Sequence, residues 1–162
     1  MKTLLLASAL FAGLFVSLSA APAPGTYHAF CRALWLFASP CAEINTKVAQ
    51  QIQAFSLLAG CDECQYMLVS ATPLSITANH TSLDGVQSEN ITFTFIPTVL
   101  TGGCRVSAQS TSQGFTSLFD NGLNYCNLYN LVAASGLTSE PGYMEMTNEW
   151  ACLGYRQATC KD

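Results

Sequence analysis

Eight cysteines constrain this chain more than any other feature of its sequence. Their number is even, and all of them follow residue 30: Cys31, Cys41, Cys61, Cys64, Cys104, Cys126, Cys152 and Cys160. In an exported chain this pattern predicts four disulfides, although spacing alone does not choose among the roughly one hundred possible pairings. At roughly 2–4 kcal/mol each, four bridges would match the folding free energy of a typical domain, about 5–15 kcal/mol.

The N-terminus predicts a secretory signal peptide. Lys2 supplies the positive charge at its start, and a long uncharged apolar stretch follows. That stretch is shorter than the about 20 residues needed to cross a bilayer. Small residues at Ser17 and Ser19 favour cleavage after Ser19. We therefore expect residues 1–19 to be removed and residues 20–162 to form a single secreted, extracellular domain without a membrane span.

The segment Cys61-Asp62-Glu63-Cys64 has the spacing of a redox motif or of half a zinc site. Its two acidic residues would raise a thiol pKa, whereas a redox cysteine needs a lowered one. The last two cysteines are too far apart to complete a standard zinc finger. We therefore expect Cys61 and Cys64 to form structural disulfides with two different partners, and we expect no metal site.

Two helices are predicted at the start of the domain. Residues 27–37 carry apolar side chains at helical spacing. A second helix is predicted between the start signal Ser39-Pro40 and the stop signal Gly60. Its buried face would consist of apolar residues three or four positions apart: Cys41, Ile44, Val48, Ile52, Phe55 and Ala59. On the opposite face, Glu43 and Lys47 have the spacing of a favourable ion pair.

After Cys64 the hydrophobic period changes from helical to alternating. Alternation predicts strands at residues 66–72, 74–79, 90–96, 104–111 and 143–150. Asp120-Asn121-Gly122 is typical of a tight hairpin, and residues 127–135 predict a short late helix that stops at Gly136. The predicted fold class is α+β: N-terminal helices packed on a curved antiparallel sheet, stapled by disulfides, with a short late helix.

Two sequons predict N-glycosylation at Asn79 and Asn90. Alternation places Asn79 on the polar face of its strand, opposite Ile76. It likewise places Asn90 opposite Ile91 and Phe93. Both glycans would therefore leave from the hydrated side of the sheet, as their bulk requires.

No catalytic constellation is recognisable in the sequence. His80, beside a sequon, is expected to be an exposed residue at a strand end, and neither it nor His28 accompanies a nucleophile motif. Glu145 and Glu149 are expected to share one side of the last strand as ordinary solvated carboxylates. Asp120-Asn121-Gly122 lacks the further ligands of a calcium loop. We therefore predict a protein that is not an enzyme and has no cofactor.

Composition indicates the class of partner. Six basic residues against ten acidic ones, a formal charge of −4, exclude a nucleic-acid partner, because phosphate binding needs clustered Lys and Arg. Large aromatic side chains are frequent, with nine Phe and six Tyr, while only 10% of residues are charged. This predicts a binding protein for an apolar small molecule. The alternatives are an extracellular matrix or coat component, and a secreted effector or inhibitor that acts on an extracellular protein. The ligand-binding residues are not predicted.

Overall fold

The computed structural model describes residues 28–58, 61, 64–114 and 120–160. The predicted signal peptide, Ala59 and Gly60 lie outside these residues. The elements within them are β1 (Phe30–Phe37), α1 (Cys41–Ser56), β2 (Tyr66–Thr72), β3 (Ser75–Thr81), β4 (Ser88–Pro97), β5 (Cys104–Gln113), α2 (Leu123–Ala134) and β6 (Met144–Glu145). Two short 3-10 helices, Leu137–Ser139 and Tyr155–Gln157, follow α2. Within the described ranges, no helix is long and apolar enough to cross a membrane.

The strands form one sheet with the order β2-β3-β4-β5-β1-β6. Every neighbouring pair is antiparallel. The first described strand, β1, is therefore inserted between β5 and the short edge strand β6. The predicted α+β class with an antiparallel, disulfide-stapled sheet is confirmed. The predicted curvature is wrong, because the sheet does not curl around a helix.

One face of the sheet, called here the inner face, carries the core. Its largest fully buried side chains include Trp35, Phe93 and Phe95, each no more than 1% exposed. Helix α1 packs on this face through Ile44, Val48 and Ile52, which are one helical turn apart, as the sequence predicts. Helix α2 packs beside α1 on the same face. The opposite, outer face carries mostly polar residues and has no buried side chain among the described strand positions.

The first predicted helix, residues 27–37, is wrong, because this segment forms β1. Its buried positions alternate, with Cys31, Ala33 and Trp35 on the inner face. Apolar residues such as Leu34 also occupy its outer face. In a strand that is apolar on both faces, some apolar residues are three or four positions apart by chance. This spacing resembles the period of a helix.

Helix α1 begins differently from the prediction. Pro40, not Ser39, is its N-cap residue, and no side chain caps the helix. Ser39 Oγ instead donates to a carboxylate oxygen of Glu140, 3.1 Å away. Lys47 forms the predicted pair with Glu43, at 3.1 Å, and a second pair with Glu140. The hydrogen bond from Lys47 lowers the pKa of Glu140 below its ordinary value. A single lysine thus joins α1 to the loop after α2.

The predicted late helix exists but begins four residues earlier than expected, as α2. The chain turns after it at Gly136, whose φ of +75° favours glycine, so the predicted stop is confirmed. The predicted last strand is mostly wrong, because only β6 pairs with the sheet. From residue 146 to residue 160 the chain forms turns and a short 3-10 helix.

The predicted hairpin at residues 120–122 is wrong, because these residues lead into α2. The Asp120 carboxylate accepts hydrogen bonds from the backbone N–H groups of Gly122, at 3.0 Å, and Asn124, at 2.7 Å. Gly122 has a φ of +82°, and a Cβ there would lie 2.5 Å from the Cβ of Ala158. The glycine thus permits both the turn and the close approach of the C-terminal segment.

All eight cysteines are paired, as Cys31–Cys152, Cys41–Cys104, Cys61–Cys64 and Cys126–Cys160. The prediction of different partners for Cys61 and Cys64 is wrong. The two are bonded to each other, and the Cys64 N–H also donates to the Cys61 carbonyl at 3.3 Å. The last cysteines connect the C-terminal segment to β1 and to α2.

The bridges are expected to differ in their contribution to stability. Cys31–Cys152 joins positions 121 residues apart, and Cys61–Cys64 joins positions 3 apart. Loop-closure entropy then predicts losses of about 5 and about 2 kcal/mol in the free energy of unfolding for the paired replacements by serine. Denaturant titration of the variants C31S/C152S and C61S/C64S measures both. Equal losses would contradict this order.

The helix face is tested by the same substitution on opposite sides of α1. Ile44→Asp buries an unpaired charge and should cost several kcal/mol, enough to prevent secretion of folded protein. Gln50→Asp, on the exposed side of α1, should shift Tm by only a few degrees. Secretion yield and thermal melting are the measurements, and normal export of the Ile44 variant would refute the packing of α1.

Candidate functional site

A row of buried polar side chains crosses the inner face at one end of the sheet. His80 on β3 is the register partner of Glu89 on β4, which in turn is the partner of Ser112 on β5. Their exposed fractions are 4%, 1% and 2%. The positions two residues away on β3 and β4, Ala78 and Ile91, are apolar core residues. The core therefore becomes polar at this end on three adjacent strands.

His80 and Glu89 form a buried pair at the centre of this row. His80 Nδ1 lies 2.9 Å from Glu89 Oε2, and Asn127 Nδ2 donates to the same oxygen at 3.3 Å. The ring of Tyr66 packs against the imidazole, with 4.7 Å between centroids. The expectation that His80 is exposed is wrong, because the alternation of β3 directs this side chain toward the core.

Helix α2 supplies the polar groups that face the row. Asn124, Asn127 and Asn130 follow one another at intervals of three, and all are buried. Asn124 accepts a hydrogen bond from Ser110 Oγ, at 2.6 Å, and donates to Ser112 Oγ, at 2.8 Å. Sequence analysis missed these residues. The sequence signal that could have revealed them is an asparagine at every third position of a helix, together with polar residues that point inward from the strands.

A cavity of about 400 Å³ opens beside this cluster. Its polar wall includes His80, Gln87, Asp120, Asn127, Asn130 and Thr159. Leu123 and the Cys126–Cys160 disulfide form its apolar part. The lining contains an aspartate but no lysine or arginine among the described residues.

Two buried polar atoms of this wall have no hydrogen-bond partner among the described residues. They are His80 Nε2 and Asn130 Oδ1. An amide oxygen is always an acceptor, and the free imidazole nitrogen donates or accepts according to where the ring hydrogens lie. Leaving such a buried group unpaired costs about 1–3 kcal/mol. Both atoms are closed off from solvent, so a molecule in the cavity would pair with them, and recover this free energy, only after the wall side chains move.

The histidine–carboxylate pair is also the part of a catalytic triad that orients a base. A triad needs a nucleophile at the free imidazole nitrogen. In the part of the chain that the structure describes, no hydroxyl or thiol is hydrogen-bonded to His80 Nε2. Cys126 and Cys160 in the cavity wall are joined in a disulfide. The prediction that the protein is not an enzyme stays a prediction, and His80 is the place to test it.

Glu145 and Glu149 are not the ordinary solvated strand carboxylates that the sequence predicts. Glu145 accepts a hydrogen bond from the Tyr125 hydroxyl, at 3.1 Å. Burial raises the pKa of Tyr125, and the nearby charge of Glu145 raises it further, so this phenol remains a donor. Glu149 accepts from the backbone N–H groups of Gly154 and Arg156. Both acids thus hold the C-terminal segment in place and lie outside the cavity wall.

No protein-family model and no curated protein sequence matches this chain. Among the residues that the structure describes, no group of three or more His, Cys, Asp or Glu side chains is placed to hold a metal ion.

The buried pair is tested by removing its acceptor. Glu89→Ala leaves the donors of His80 and Asn127 unpaired and should lower the free energy of unfolding by about 2–6 kcal/mol, because each buried donor left unpaired costs about 1–3 kcal/mol. Glu89→Gln retains an amide oxygen and should recover at least half of this loss. Denaturant titration measures both variants. If alanine and glutamine cost the same, the described hydrogen bonds are not what holds the pair.

Proposed function

We propose that this protein is a secreted, glycosylated, disulfide-bonded binding protein that holds a small molecule in the cavity beside α2 without converting it. The observation that carries this proposal is the pair of unpartnered buried atoms, His80 Nε2 and Asn130 Oδ1, in one cavity wall. The four disulfides support an extracellular location, because such bonds persist in oxidising surroundings. The cavity volume also lies in the usual range for ligand sites, about 300–1,000 Å³.

The polar wall determines which chemical groups the ligand presents. Asn130 Oδ1 requires a donor. A hydroxyl group suits His80 Nε2 in either protonation state, because it both donates and accepts. Asp120 in the wall and Glu89 behind it disfavour anions, since no lysine or arginine among the described lining residues compensates them. The proposed ligand is therefore neutral or cationic and carries hydroxyl or amino groups.

The apolar wall allows the ligand a short apolar part. Leu123 and the neighbouring disulfide provide this surface. The sequence predicts an apolar ligand from the abundance of aromatic residues, but Trp35, Phe93 and Phe95 are packed in the core, where they are not available to a ligand. We therefore propose a weakly polar molecule in place of a purely apolar one.

An extracellular protein partner is the second candidate. Val99 and Leu100 in the turn between β4 and β5 are 97% and 99% exposed, and Trp150 is 94% exposed. Val99 and Leu100 are neighbours in one turn, and grouped exposed apolar side chains are typical of interaction surfaces, whereas Trp150 lies apart from them beside the start of β1. This observation favours the effector or inhibitor alternative. Val99 and Leu100 lie at the end of the sheet opposite the cavity.

Binding is tested on the secreted full-length protein by thermal melting and by NMR titration. The probes are monosaccharides, amino alcohols, small carboxylates and long-chain fatty acids. A compound present at about 100 times its Kd should stabilise the folded state by about 2.7 kcal/mol. We expect hydroxyl- or amino-bearing probes to bind saturably and carboxylates not to bind.

The matched variants replace an amide by leucine at two sites. Asn130→Leu removes the unpartnered acceptor and should weaken binding at least tenfold. Gln50→Leu, on the exposed side of α1, should leave the affinity unchanged. Saturable binding of fatty acids alone would show that the ligand is apolar. An affinity that Asn130→Leu leaves unchanged would show that the ligand binds elsewhere.

A further inference from the structure

The two sequon asparagines lie directly opposite each other on adjacent strands. Asn79 on β3 is the register partner of Asn90 on β4. The same row continues to Met67 on β2 and to Thr111 on β5. All four side chains project from the outer face, which confirms the predicted orientation of both asparagines.

This register leaves little room for two glycans. Directly opposed side chains on antiparallel strands have Cβ atoms about 4.5–5.5 Å apart and point the same way. The first sugar of an N-linked glycan is a six-membered ring that carries an acetamido group, and its second sugar continues outward along the same axis. Two such glycans would start side by side from neighbouring side-chain amides. The sheet beneath them leaves neither glycan room to move inward.

The two positions are not equally open. Asn90 is exposed, and its neighbour on β5 is the short side chain of Thr111. Asn79 is half-buried between Asn90 and the long side chain of Met67. A glycan on Asn90 therefore meets fewer neighbouring atoms than one on Asn79.

We propose that the folded protein carries one N-linked glycan, at Asn90, and that occupancy of Asn90 and Asn79 is mutually exclusive. This inference rests on the proposed secretion and glycosylation and is independent of the cavity. The exclusion acts at folding. Sugars are transferred to the extended chain, and a chain modified twice must then bring both glycans together when β3 pairs with β4. Such chains remain in the secretory pathway, and singly modified chains leave it.

The experiment expresses the full chain in a secretory pathway that glycosylates. Intact mass is measured before and after enzymatic removal of N-glycans, and peptide mapping locates the asparagine that the enzyme converts to aspartate. The secreted wild-type protein should carry a single glycan, at Asn90. The doubly modified form should be confined to the intracellular pool.

Two threonine variants remove one sequon each and leave both asparagines in place. Thr81→Ala should be secreted with the wild-type glycan and yield. Thr92→Ala should move the glycan to Asn79 and lower the secreted yield at least twofold. Asn90→Gln, which keeps Thr92, should reproduce this result, and a wild-type yield of Asn90→Gln would contradict the link between glycan position and yield.

Two glycans on most secreted chains, or a single glycan located at Asn79 in the wild type, would overturn the proposal. Secreted protein without any glycan would overturn it together with the glycosylation in the proposed function, while ligand binding at the cavity would be unaffected. The failures of the two proposals are therefore distinguishable.

Discussion

Burial of one sheet face under two helices is the interaction on which the rest of the structure depends. Trp35, Phe93 and Phe95 give that face the bulk to exclude water, and α1 covers them with its aliphatic stripe. The stripe ends where β3, β4 and β5 change from apolar to polar residues. Helix α2 contributes asparagines at that end of the sheet. Their side chains form hydrogen bonds, and they leave space because they do not fill it as Leu or Ile would. The position of the cavity follows from this change in the character of the core.

The elements that sequence reasoning predicted correctly are those whose pattern has a single interpretation. Helix α1 has an uninterrupted apolar stripe and a matched ion pair, and the strands from β3 to β5 alternate clearly. Strand β1 was missed because it is apolar on both faces, which imitates a helical period. Asp120-Asn121-Gly122 suits a hairpin and a helix entry equally well. In the structure Gly122 lies against Ala158, a residue far away in sequence that the local pattern does not reveal.

The candidate site was missed for a related reason. His80 and Glu89 are ordinary residues when each is considered alone, and only their shared register across the turn makes them a buried pair. Inward alternation on both strands predicts that they face the core, but not that they face each other. The remaining wall, near Thr159, depends on a disulfide pairing that cysteine spacing does not determine. Cavities assembled from distant segments are therefore the part of a fold that single-sequence patterns describe least.

The Cys126–Cys160 bridge fastens one wall of the cavity to α2. It attaches to α2 a segment that belongs to no strand of the sheet, yet this segment forms one wall of the cavity. If the proposed ligand occupies the cavity, substitutions at Thr159 would change which molecule fits there, because this side chain lines the cavity beside the bridge.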